Sequence, residues 1–189
     1  MSPRKSGSLL DRAPIAQGIV AGLVAWITGF AATLGLVAAA EKPDDPIGFA
    51  GNVFYNAHFA MSKATRSGGV SGSESETGSM IASNMTDLAD VVYYAVPVVV
   101  LLLVGVALAR LASTRDPGAA AVGGVAMAVG YLLPTIAGTE LFEVTADSGW
   151  FGMATTTVSP MLTVTTIALM GLLFPILFGG MGATIGSEL

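Results

Sequence analysis

The sequence predicts an all-α fold, an integral membrane four-helix bundle with an additional external amphipathic helix. Of the 189 residues, 53% are hydrophobic and only 11% are charged, and the mean hydropathy is +0.73. A soluble domain would carry roughly a quarter charged residues. The apolar runs are continuous and lack strand alternation, which favours helices over a membrane barrel. We therefore expect residues 1–189 to form a single membrane domain.

Four apolar segments are each long enough to cross, or nearly cross, a hydrocarbon core of about 30 Å. They cover about residues 14–40, 90–111, 119–136 and 154–183. The first begins at Pro14, a residue type favoured at the first helical position. It is too long for a cleaved signal peptide, whose apolar core has about 7–15 residues. Residues 41–89 then form a long external connection.

Basic residues predict a cell-membrane protein with both termini cytoplasmic. Five of the eight lysines and arginines precede the first segment or flank the second-to-third connection, namely Arg4, Lys5, Arg12, Arg110 and Arg115. The positive-inside rule assigns that side to the cytoplasm. The other side carries ten of the thirteen acidic residues and three basic ones, so we expect an acidic external cap.

This acidic surface, with only three lysines, is typical of proteins from salt-loving archaea. Concentrated salt screens the repulsion within such a surface. An ordinary acidic external surface is the alternative. Asn84 opens the tripeptide Asn-Met-Thr on the predicted external side, which makes it a candidate acceptor for N-glycosylation.

The external connection 41–89 divides into two parts. The serine- and glycine-rich tract from Ser67 to Ser79 predicts a flexible linker. The stretch from Gly48 to Ala64 predicts an amphipathic helix of four to five turns. Its apolar face would carry Ile47, Ala50, Val53, Phe54, Ala57, Met61 and Ala64, and its polar face Asn52, Asn56 and Lys63. We expect it to lie in the interface or across the external helix ends.

His58, the single histidine, falls at the boundary between these two faces. One interpretation is structural, with the ring packed on Phe54 and Tyr55 and one nitrogen hydrogen-bonded. The other is a proton or ligand site at an external mouth, because histidine titrates near neutral pH. The structural interpretation is favoured, because the motif contains no second histidine and no carboxylate.

The hexapeptide Phe-Tyr-Asn-Ala-His-Phe, residues 54–59, and the general layout resemble small multi-pass membrane proteins of haloarchaea. This resemblance implies the class of protein and no activity.

Several kinds of chemistry are disfavoured by composition. The chain has no cysteine and one histidine, too few ligands for a zinc or haem site, and we expect no cofactor or metal. No ionisable residue lies in the middle of a predicted span, and no Gly-x-Ser-x-Gly elbow, phosphate loop or dinucleotide motif occurs. We therefore expect no enzymatic activity and no nucleic-acid partner.

Thr155, Ser159, Thr163 and Thr166 recur at spacings of four, four and three, which would place four hydroxyls on one stripe of the fourth helix. Such a stripe forms an interhelical seam or lines a wet path. Two functions follow. The favoured hypothesis is a non-catalytic structural or accessory subunit. The alternative is a small oligomeric channel or transporter that uses this stripe and a mouth near His58, Asn52 and Asn56.

Small residues four apart predict where helices approach closely. The pairs are Gly18 with Gly22, Ala126 with Gly130, and Gly182 with Gly186. In lipid, helices associate through close backbone contact more than through hydrophobic burial. These faces pack the bundle itself or serve a homo-oligomer or another membrane-protein partner, and the remaining surface contacts membrane lipids.

Overall fold

The computed structural model describes residues 8–68, 73–84, 90–148 and 154–189. The chain forms seven helices and four strands in these ranges. The helices are α1 (Leu9–Arg12), α2 (Ile15–Ala40), α3 (Pro46–Asn56), α4 (Met80–Asn84), α5 (Asp90–Leu111), α6 (Pro117–Leu141) and α7 (Val164–Glu188). The strands are β1 (Ser62–Gly68), β2 (Glu74–Gly78), β3 (Val144–Ser148) and β4 (Ala154–Pro160).

Helices α2, α5, α6 and α7 are long and apolar enough to cross a membrane. The predicted spans 14–40 and 90–111 match α2 and α5 almost residue for residue. The predicted span 119–136 is too short, because α6 begins at Pro117, behind the Asp116 cap, and continues to Leu141. The predicted span 154–183 is wrong in its first third, where the chain forms strand β4 instead of a helix.

The four long helices pack with α2 parallel to α6, and α5 parallel to α7 in the opposite direction. Two contacts fix the first pair, since Gly18 lies against Gly123 and Trp26 lies near Gly138. The loop between α5 and α6 therefore lies at the same end of the bundle as the start of α2 and the end of α7. We call this the arginine end, after Arg12, Arg110 and Arg115, and the opposite end the sheet end.

The glycines predicted to allow close packing do so within this one chain. A Cβ atom at Gly22 would lie 1.9 Å from the carbonyl oxygen of Met127, and one at Gly130 would lie 1.8 Å from that of Ile19. A Cβ atom at Gly182 would lie 2.2 Å from the carbonyl oxygen of Leu102. No side chain fits at such distances, so these positions join α2 to α6 and α5 to α7.

A four-stranded antiparallel sheet at the sheet end means that the fold is not purely α. The strand order is β2-β1-β4-β3, with Ser62 opposite Pro160 and Gly68 opposite Ala154. The tract 67–79, expected to be a flexible linker, instead supplies the end of β1 and all of β2. β-Branched threonines and a valine favour the extended conformation in β4, and pairing with β3 and with β1, about ninety residues earlier, supplies the hydrogen bonds.

Helix α3 is shorter and more deeply buried than the amphipathic helix that the sequence predicted over residues 48–64, in the interface or across the external helix ends. It has 11 residues, begins behind Asp45, whose side chain accepts a hydrogen bond from the Gly48 amide at 3.0 Å, and ends at Asn56. The chain then turns through Phe59, at a φ of 61°, into β1. Residues 50–58 are all buried, so α3 is enclosed after its first turn, where Ile47 is exposed. It fills the centre of the bundle at the sheet end.

Candidate functional site

We call residues 46–58, which comprise α3 and the turn that follows it, the α3 segment. Polar side chains on one side of this segment contact α6, and we call these contacts the polar seam. Asn52, Tyr55 and His58 are spaced three residues apart, which keeps them on one side of the segment. From the sheet end inward, the contacts are Asn52 Nδ2 to the Phe142 carbonyl (2.8 Å), the Tyr55 hydroxyl to the Thr135 carbonyl, and His58 Nε2 to the Tyr131 hydroxyl (2.8 Å). The segment therefore runs antiparallel to α6 and enters the bundle.

His58 lies at the inner end of the seam and is fully buried. Its Nδ1–H donates to the Phe54 carbonyl at 2.8 Å, so Nε2 of the neutral ring accepts from the Tyr131 hydroxyl. The ring meets Phe54 edge-on and also contacts Phe174, with both centroid distances at 4.9 Å. The structural interpretation predicted the contact with Phe54 and one hydrogen bond. It missed Tyr131 and Phe174, which lie far along the chain.

Burial keeps the seam uncharged at neutral pH. Loss of water disfavours the charged imidazole and lowers the pKa of His58 to about 4, although the hydrogen bond to Phe54 opposes this shift. Burial also raises the pKa of Tyr55. Both nitrogens of His58 are already hydrogen-bonded, and no cluster of three metal-ligating side chains occurs among the described residues. The arrangement can lock α3 to α6, and it offers no free lone pair on the ring.

Two buried polar atoms beside Phe142 have unused hydrogen-bonding capacity. Asn52 donates from Nδ2 to the carbonyls of Gly48 and Phe142, while its Oδ1 has no partner among the described residues. The indole Nε1 of Trp26 also lacks one there, and its ring stacks on Phe142 at 6.1 Å. An unpaired buried donor or acceptor costs about 1–3 kcal/mol.

Asn56 lies in the same segment but serves a different junction. Its Nδ2 donates to the Ala60 carbonyl at 2.6 Å and to the Ser62 hydroxyl at 3.2 Å, and its Oδ1 accepts from the Met80 amide at 2.7 Å. These bonds tie the end of α3 to β1 and α4. The sequence placed Asn52 and Asn56 on the polar face of an amphipathic helix, and the alternative hypothesis placed them near a mouth. In the structure both side chains are buried.

The predicted hydroxyl stripe of a fourth helix does not exist. Thr155 and Ser159 lie on β4, before the helix begins. Thr163 caps α7 by accepting from the Thr166 amide at 3.1 Å, and the Thr166 hydroxyl donates to the Met161 carbonyl at 2.6 Å. These two threonines define the start of α7. The sequence pattern failed because a spacing of four also keeps residues on one side of a strand, whose period is two.

Thr155 and Ser159 instead belong to one face of the sheet, which we call the hydroxyl face. The strand registers place on it Thr65, Ser67, Ser75, Thr77, Thr145, Thr155, Thr157 and Ser159, together with Lys63 and Asp147. Two cross-strand hydroxyl pairs lie within hydrogen-bond distance, Ser67 with Thr155 at 2.9 Å and Thr145 with Thr157 at 3.1 Å. The residues of this face are exposed or half-buried, and none of them is apolar. The signal that could have revealed it was the placement of Lys63, Thr65 and Ser67 at every second position.

The proposed glycosylation site at Asn84 falls at the last residue of α4. The other two residues of its tripeptide, Met85 and Thr86, lie outside the described residues, so this site stays a prediction.

No curated protein and no solved structure matches this sequence. A family profile does match, over residues 1–189, and its description is a family of unknown function, DUF7978. The match covers the four long helices, the α3 segment and the sheet together. The chain therefore belongs to the DUF7978 family.

Proposed function

We propose that this protein is a non-catalytic membrane subunit, structural or accessory, that holds its β-sheet as a rigid platform for a partner outside the membrane. The observation that carries the proposal is the hydroxyl face. A solvated, regular array of hydroxyls and two opposite charges is a surface for polar recognition, because each hydroxyl can both donate and accept a hydrogen bond.

Short connections to the bundle support the idea of a rigid platform. Helix α6 ends at Leu141 and β3 begins at Val144, while β4 ends at Pro160 and α7 begins at Val164. The Met161 amide also donates to the Met61 carbonyl at 3.0 Å, which joins the bases of β4 and β1. Residues packed this closely to long helices have little freedom to move. A preorganised surface loses less entropy when a partner binds.

We further propose that the sheet end faces outward and that the arginine end faces the cytoplasm. Among the described residues, the arginine end carries Arg12, Arg110 and Arg115, as the positive-inside rule expects. Nine acidic residues and three basic ones belong to the elements at the sheet end, the acids being Glu41, Asp44, Asp45, Glu74, Glu76, Asp90, Glu140, Glu143 and Asp147. A salt-rich habitat would suit this acidic cap.

The alternative function, a channel or transporter, has less support. The hydroxyls assigned to its path, Thr155 and Ser159, lie on the sheet and not between helices. The centre of the bundle at the sheet end is occupied by α3, whose residues 50–56 are all buried. Transport through one chain would require α3 to leave this position and break the polar seam.

Site-specific photocrosslinking in the native membrane tests the platform. A photoreactive residue at Thr157 would probe the hydroxyl face, one at Thr156 the opposite face of the sheet, and one at Val129, exposed on α6, the surface of the bundle. We expect a protein adduct of one defined mass from Thr157 and none from Val129. The adduct should weaken when Thr65 and Thr145, its neighbours on the hydroxyl face, are changed to lysine.

Two results would contradict the proposal. Adducts with equal yield at Thr157 and Val129 would indicate collision without recognition. Absence of an adduct from either sheet face, together with solute flux in liposomes that contain only this protein, would favour the transport alternative.

A further inference from the structure

The halves of α2 and α5 that lie toward the arginine end leave a cleft of about 510 Å³ between them. Its lining is apolar apart from Gln17, and four alanines contribute to it, Ala16, Ala21, Ala107 and Ala112. Small residues normally let membrane helices close on each other. Here the helices stay apart, so the alanines leave an open groove whose rim includes the exposed side chains of Val20 and Leu111.

A polar pocket of about 290 Å³ lies at the same end of α5, between its last turn, the loop that follows and the end of α7. Arg110 and Ser113 line the pocket, whereas the two residues between them, Leu111 and Ala112, line the apolar cleft. Arg115 lies in the pocket as well. Arg12 pairs with Asp116 at 2.6 Å, whereas no ion pair to Arg110 or Arg115 occurs within the described part of the chain.

We propose that the cleft and the pocket together bind one anionic phospholipid, with its phosphate at Arg110 and Arg115 and an acyl chain between α2 and α5. Guanidinium groups bind phosphate oxygens in a bidentate geometry, and basic residues at a membrane surface attract anionic lipids. An apolar groove and a basic pocket that alternate along the last turn of α5 complement an amphipathic anion. A helix of a second copy would complement the groove alone and leave both arginines unpaired.

Native mass spectrometry of the delipidated full-length protein tests this proposal. The protein would be titrated with phosphatidylglycerol and with phosphatidylcholine of the same acyl chains. We expect stronger retention of phosphatidylglycerol. The double variant Arg110→Gln and Arg115→Gln should weaken the binding of phosphatidylglycerol roughly thirtyfold, because each basic residue near the surface contributes about 1 kcal/mol. The binding of phosphatidylcholine should not change.

A variant that fills the cleft tests the contribution of the acyl chain to binding separately from that of the headgroup. Ala107→Phe places a ring in the groove and should reduce retention of both lipids, while Val129→Phe, on an exposed position of α6 outside the cleft, should change neither. Val20→Phe, at an exposed rim position, serves the same purpose if the first variant unfolds. The melting temperature of each variant reports whether it folds.

Three outcomes would overturn the inference. Equal retention of both lipids with no effect of the arginine substitutions would remove the headgroup site. Displacement of phosphatidylglycerol by millimolar inorganic phosphate would indicate a pocket for free phosphate. A lipid-independent dimer that Ala107→Phe dissociates would show that the groove holds a second copy of the chain. None of these results depends on the partner proposed for the sheet.

Discussion

Helix α3 and the β-sheet lie at the same end of the bundle but differ in the burial of their polar side chains. In the α3 segment, Asn52, Asn56 and His58 are buried and hydrogen-bonded to other parts of the chain. On the sheet, Thr145 is exposed and Thr157 is half-buried. Polar residues in the first region connect helices. Polar residues in the second region form a surface that is accessible to water and to a binding partner.

Loss of water explains this difference. A polar group removed from water must find a partner or cost about 1–3 kcal/mol, so each polar residue of α3 is held by specific contacts. A hydroxyl on a solvated strand exchanges a water for a neighbour at little net gain. We therefore expect substitutions in the polar seam to cost several kcal/mol, and similar substitutions on the hydroxyl face to cost almost nothing.

The largest expected effect comes from His58→Ala. The change removes a buried ring, leaves the Tyr131 hydroxyl without its acceptor and opens a cavity against Phe174, for a loss of about 4 kcal/mol in the free energy of unfolding. Denaturant unfolding in detergent measures it. Thr145→Ala, on the hydroxyl face, is the control, with an expected change within about 0.5 kcal/mol. Equal costs for the two variants would remove the distinction between the regions.

The same pair of variants predicts a pH dependence confined to the seam. The folded pKa of His58, about 4, lies below its ordinary value of 6.5, so the unfolded state binds more protons between these values. Its stabilising contribution is complete above pH 6.5 and decreases as the pH falls to 4, by about 3 kcal/mol. The cost of His58→Ala should shrink to about 1 kcal/mol at pH 4. That of Thr145→Ala should stay constant, and a seam open to water would show no such change.

The sequence predicted α2 and α5 almost residue for residue, and the existence of all four long helices, because their signal is local. Continuous apolar runs and the glycine pairs Gly18–Gly22 and Gly182–Gly186 define spans and their close contacts without knowledge of the rest of the chain. The pairing of strands that lie far apart in the chain could not be predicted from the sequence. Strand β4 continues directly toward an apolar helix, and it is a strand because it pairs with β3 and with β1, the latter about ninety residues earlier.

The predicted location of the candidate site residues differs from the structure for a related reason. Asn52 and Asn56 form a polar stripe on a helical projection, which normally marks a solvated face. In this chain the stripe meets the carbonyl of Phe142 and the amide of Met80, both supplied by distant segments. The identity of His58 as a structural residue could be argued from its lack of acidic neighbours. Its partner Tyr131 could not, because nothing in the sequence links the two positions.

Two glycines sharpen the comparison at the level of the backbone. A Cβ atom at Gly51 in α3 would lie 2.0 Å from Cγ of Phe142, whereas one at Gly78 in β2 would meet nothing within 4 Å. Gly51→Ala must displace the Phe142 ring and should cost about 1–3 kcal/mol. Gly78→Ala should be neutral or stabilise the fold by up to about 1 kcal/mol, because alanine restricts the unfolded chain. Melting temperatures measured side by side decide this. A harmless Gly51→Ala would indicate that α3 is loosely seated.

The smallest expected effect is that of Thr157→Val, which removes a hydroxyl from the hydroxyl face and keeps the β-branched shape. The Thr145 hydroxyl, 3.1 Å away, loses a neighbour that water can replace, so the free energy of unfolding should change by less than about 0.5 kcal/mol. A double-mutant cycle with Thr145→Val isolates the coupling between the two hydroxyls, expected at about 0.2–1 kcal/mol. A coupling of several kcal/mol would mean that these hydroxyls stabilise the sheet as the seam stabilises α3, and would leave the face unavailable to a partner.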